Sequence, residues 1–147
     1  SEFSSSIREL AEVVKETNLV ERMERFSLKY VDLLQFEDLG LDCLEIDLKL
    51  AEYEMTRKPV QLQAQIEEDG LKHIIQIVSP AEVHVTGDSK KLRGILTDVD
   101  TIRALANDES WNELDESLDR VHYAGKRLFF SLLKKETTEA LDPEYEE

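Results

Sequence analysis

The stretch "VQLQAQIEEDGLKHIIQIV", Val60–Val78, decides the fold. Its first half alternates strictly, with Val60, Leu62, Ala64 and Ile66 set against Gln61, Gln63, Gln65 and Glu67. Successive side chains of a strand point to opposite faces, so a period of two predicts a strand with one apolar face. Asp69 and Gly70 follow, a dipeptide that tolerates the positive φ a type I′ turn needs at both central positions. In the second half Leu71, His73, Ile75 and Ile77 share one parity. The whole segment therefore reads as an antiparallel hairpin.

Working outward, the same alternation recurs. In "ERFSLKYVDLL", Phe26, Leu28 and Tyr30 oppose Arg25, Ser27 and Lys29. In "CLEIDLKLAEYEM", Leu44, Ile46, Leu48 and Leu50 oppose Glu45, Asp47 and Lys49. Past the hairpin, Pro80 cannot donate a ladder hydrogen bond and predicts a bulge, after which Val83 and Val85 resume the parity. "LRGILTDVDTI" closes the set, giving five strands. Short connections between successive strands imply an antiparallel meander.

Helical spacing flanks this β region on both sides. In "SSSIRELAEVVKETN", Ile7, Leu10, Val13 and Val14 form an apolar stripe, and Ser6 with Glu9 fits a capping box at its start. Near the other end, Trp111, Leu114, Leu118, Val121, Gly125, Leu128, Phe129 and Leu132 form a stripe over about seven turns. Acidic residues crowd its first half, and Lys126, Arg127, Lys134 and Lys135 its second, which complements the helix dipole. The expectation is a two-layer α+β domain over residues 4–141. It comprises a five-stranded antiparallel meander packed against an N-terminal helix and a long C-terminal helix, in a helix-grip-like arrangement. Ser1–Phe3 read as a cloning remnant and residues 142–147 as an acidic tail.

Composition narrows the function classes. The chain has 147 residues, 41% of them hydrophobic, which suits one domain with a real core. A formal charge of -15 disfavours nucleic acid and anionic membranes, so a polar partner is expected to be basic. One cysteine, Cys43, excludes an internal disulfide, and His73, His84 and His122 lack metal-ligand spacing, so no cofactor is expected. No apolar run approaches the roughly 20 residues that span a bilayer, and a cytoplasmic protein is expected.

Few residues read as chemistry. Asp98 and Asp100, two apart in the last strand, share a face with Leu96 and Ile102 and could hold a hard cation. His122, at the edge of the long helix's stripe, could couple to them as a base, making a metal-assisted hydrolase. The plainer reading is a carboxylate edge that docks the helix on the sheet. Gly94 and Gly125 read as points of close approach, and adjacent Phe129 and Phe130 diverge by about 100°, so one of them turns from the apolar stripe. Cys43 heads a strand on its polar face.

The run "GILTDVDTIRA…WNELDESLDRVHYAGKRLFFSLLKKETTEALDPE" resembles the C-terminal part of a sporadically distributed family of bacterial and archaeal proteins whose function is undescribed. That family's strand of pattern Leu-x-Asp-hydrophobe-Asp falls on Leu96, Asp98, Val99 and Asp100. Its helix of pattern Leu-x3-His-x6-Phe falls on Leu118, His122 and Phe129. An earlier strand is matched at Leu28, Tyr30 and Val31 and departs at Lys29 and Asp32, where the family has arginine and asparagine. The resemblance implies a C-terminal fragment or short member, and no activity.

The leading functional expectation is a non-enzymatic protein-binding or assembly module, acting through an acidic surface or by self-association at a sheet edge. The second is a small apolar ligand held between sheet and long helix by Leu48, Leu62, Ile75, Leu118 and Leu128. The third is the hydrolase built on Asp98, Asp100 and His122.

Overall fold

The computed structural model describes residues 2–36, 40–85, 87, 90–105 and 111–141. The domain is α+β, with an open antiparallel sheet and a helix packed on it. In chain order come α1 (Glu2–Glu16), β1 (Arg25–Leu34), a 3₁₀ turn (Leu41–Cys43), β2 (Lys49–Leu50), β3 (Tyr53–Glu54) and β4 (Val60–Glu68). There follow β5 (Leu71–His84), β6 (Lys91–Ala104), a second 3₁₀ turn (Trp111–Glu113), α2 (Leu114–Leu132) and α3 (Lys135–Leu141).

The decisive hairpin forms as its sequence dictates. Asp69 and Gly70 both have positive φ, 51° and 73°, and β4 pairs β5 from Glu68↔Leu71 to Val60↔Ser79. The β5–β6 ladder slips between Val78 and Ala81, where the missing N–H of Pro80 breaks the regular bonding.

Two expectations about the sheet are corrected. It has four strands, in the order β1-β6-β5-β4, so β1 pairs with the distant β6. The segment after Cys43 does not enter it. Leu44 makes a single bridge to Leu133, the Glu45 amide donates to the Leu132 carbonyl at 2.7 Å, and the Lys134 amide donates to the Cys43 carbonyl at 3.0 Å. This segment caps the far end of the core beside α2, with Leu44 fully buried and Ile46 and Leu48 packed on the same cluster. Only Lys49–Leu50 and Tyr53–Glu54 pair, as a separate small hairpin. Alternation reports which residues are buried; it does not say against what.

The helices are corrected as well. α1 begins at Glu2, so Ser6 lies inside it and Phe3 is a helix residue. α2 has 19 residues, about five turns. It stops because Leu133 takes extended backbone to bridge Leu44, and α3 continues beyond it.

Register places the core. The face under α2 carries Leu28 and Tyr30 of β1, His73, Ile75 and Ile77 of β5, and Ile95, Thr97, Val99 and Thr101 of β6. From α2, Ser117, Leu118, Val121 and Gly125 are buried against it. At Gly125 a Cβ would sit 2.9 Å from Thr101 Oγ1, so only glycine lets α2 lie this close to β6.

Candidate functional site

The alternation that buries Val99 and Thr101 under α2 forces Asp98 and Asp100 onto the other face of β6. There Lys29 Nζ lies 2.9 Å from Asp98 Oδ2, and Asp100 Oδ1 is buried with no hydrogen-bond partner among the described residues. His122 sits on α2, across the sheet from both. The Asp–His couple is therefore not formed, and neither carboxylate docks the helix. Among the described residues no three His, Cys, Asp or Glu side chains come together as metal ligands.

His122 meets β1 instead. The Tyr30 hydroxyl lies 2.6 Å from His122 Nδ1, and the two rings meet edge to face. Burial pushes the Tyr30 phenol up, so it keeps its proton at neutral pH. The pair stands in a cleft of about 250 Å³ lined also by Asp32, Lys126, Phe129 and Phe130.

Local geometry explains the convergence. Tyr30 and Asp32, two apart on β1, share the face toward α2, and His122, Lys126 and Phe129 recur at helical spacing along the side of α2 that borders β1. Phe130, turned by about 100° from Phe129, closes the wall. Burial raises the Asp32 carboxyl, for which the described residues provide no hydrogen bond or ion pair. Lys126 has no carboxylate within ion-pair distance among them. The sequence reading singled out His122 alone as a site residue; the i, i+2 pair on the strand and the i, i+4, i+7 series on the helix were the available signal for the others.

The remaining candidates are structural. Leu62, Ile75, Leu48 and Leu128 pack together in one hydrophobic cluster and Leu118 belongs to a second with Leu28, Leu71 and Val121, so the five do not line one cavity. Cys43 lies in the 3₁₀ turn, half-buried, with its thiol pushed up mainly by burial. His73 is 2% exposed, bonded through Nδ1 to Thr101 Oγ1 at 3.0 Å, and burial lowers its pKa. Beside it, Arg120 donates to the Asp69 carbonyl and Arg127 to Glu68 at 2.7 Å, tying α2 to the β4–β5 turn.

A different surface lies on α1. Its inner edge packs Ile7 on the cluster of Leu28, Leu118 and Val121, and Arg8 reaches Asp115 at 2.7 Å and Asp119 at 3.0 Å. Of the apolar residues that the sequence reading placed over the sheet, three face outward: Leu10 is 67% exposed and Val13 59%, with Val14 beside them. Glu9 and Glu16 border this patch on the Val13 side.

No helix among the described residues is long and apolar enough to cross a membrane. Set against protein families, curated proteins and solved structures, the chain matches none.

Proposed function

We propose that the protein is a non-enzymatic docking module that works in a soluble, intracellular setting and binds a protein partner through α1. The observation that carries this is the outward apolar stripe of that helix. With residues 100° apart, Leu10 and Val14 lie about 40° from each other, and Val13 widens the stripe toward Glu9 and Glu16. The domain covers the Ile7 edge, where Phe3 and Ala11 also line a groove against Phe26 and Leu118. A contiguous apolar patch rimmed by charge on a helix is the form taken by helix-in-groove and helix-pair recognition. The acidic rim and the charge of -15 select a partner helix with a basic border.

The test uses a helical leucine–lysine peptide as probe, with anisotropy as the readout. The intact chain is expected to bind it with an affinity that falls with salt. Leu10→Glu combined with Val13→Glu is expected to abolish binding and leave the melting temperature unchanged, because both positions are exposed. Equal binding by the double variant, or none by the intact chain, refutes the reading.

A further inference from the structure

The cleft between β1 and α2 lies away from the docking face of α1, and its chemistry is of another kind. Its six lining residues are Tyr30, Asp32, His122, Lys126, Phe129 and Phe130. They include one carboxylate and one ammonium, both half-buried and not paired with each other. Burying an ionised group without a counter-charge is unfavourable, so each gains from an external charge of opposite sign. The two phenyl rings, 5.3 Å apart and edge to face, supply an apolar wall beside them. A volume of about 250 Å³ in a cleft open to solvent suits a small molecule.

We propose that this cleft binds a small zwitterion with an apolar side chain, of the α-amino-acid class. Its ammonium group pairs with Asp32 and its carboxylate with Lys126, with Nε2 of His122 as a further hydrogen-bonding group. Its side chain rests on Phe129 and Phe130. The Tyr30–His122 hydrogen bond occupies Nδ1 and leaves Nε2 to meet the ligand. A ligand with only one of the two charges leaves the other protein group unpaired, and that is the source of selectivity.

The full chain is titrated calorimetrically, and by thermal shift, with L-phenylalanine, L-leucine, phenethylamine, 3-phenylpropanoate and benzyl alcohol. Saturable binding of an amino acid, at least tenfold tighter than any of the other three probes, is expected. Asp32→Asn and Lys126→Met are each expected to weaken amino-acid binding at least tenfold, with an unchanged circular dichroism spectrum and cooperative thermal unfolding as evidence of an intact fold. Absence of amino-acid binding up to tens of millimolar overturns the proposal. So does equal binding by both variants, or a preference for the amine, acid or alcohol alone.

Discussion

The Tyr30 hydroxyl and Nδ1 of His122 share a hydrogen bond of 2.6 Å, joining β1 to α2 across 92 residues of chain. It ties the sheet's edge strand to the helix that covers the core. Tyr30→Phe keeps the ring and removes the hydroxyl, leaving Nδ1 of the half-buried His122 without this partner. A loss of about 1 kcal/mol in urea unfolding is expected. No change in unfolding free energy would show that the bond has no net weight.

Asp32 makes the opposite contribution. Burial raises its folded pKa above the ordinary value of 3.8, so the folded state holds the proton more tightly than the unfolded chain. The charged form therefore costs stability, a cost absent below the unfolded value and fully present above the folded one. Asp32→Asn is expected to raise the melting temperature at pH 7 by about 1–3 °C, a modest figure because the group is half in solvent. The gain should shrink toward zero as the pH falls below 3.8. A melting series from pH 3 to 8 checks both sign and window.

For His73 the sign is reversed. Burial lowers its folded pKa beneath the ordinary 6.5, so below that pH the unfolded chain binds the proton more readily. Stability is complete above about pH 6.5 and declines as the pH falls through the interval beneath it. His73→Gln retains a polar side chain that can bond Thr101 and cannot titrate. Its unfolding free energy should be flatter than that of the intact chain between pH 7 and 5.

Two glycines are expected to differ in cost. A Cβ on Gly94 would collide with the Leu34 carbonyl, a backbone atom that cannot step aside without parting β1 from β6. Gly94→Ala is expected to lose about 3 kcal/mol. On Gly125 the clash is with the Thr101 hydroxyl, a side-chain atom, and alanine regains about 1 kcal/mol of helix propensity. Gly125→Ala should therefore lose only about 1 kcal/mol, and a reversed ranking in chemical denaturation would count against the described packing.

Legibility from sequence followed the range of the physics involved. The β4–β5 hairpin was readable because Asp69-Gly70 and strict alternation act within a few residues. The face of Asp98 and Asp100 was equally readable, since the pleat assigns it from parity. Their distance from His122 was not, because parity does not say which face α2 covers. The segment from Leu44 to Leu50 alternates as cleanly as a strand, yet its pattern describes a chain pressed between the core and solvent beside the end of α2.

By itself, then, the sequence determined the α+β class, the hairpin, the two main helical stripes and the acidic surface. All of these follow from local backbone preference, side-chain period and charge count. Tertiary structure alone decided that β1 joins β6, that α1 leaves Leu10 and Val13 in solvent, and that Tyr30, Asp32, His122 and Lys126 share a cleft. These depend on which apolar surfaces meet, and hydrophobic attraction carries no direction that one segment can record about another.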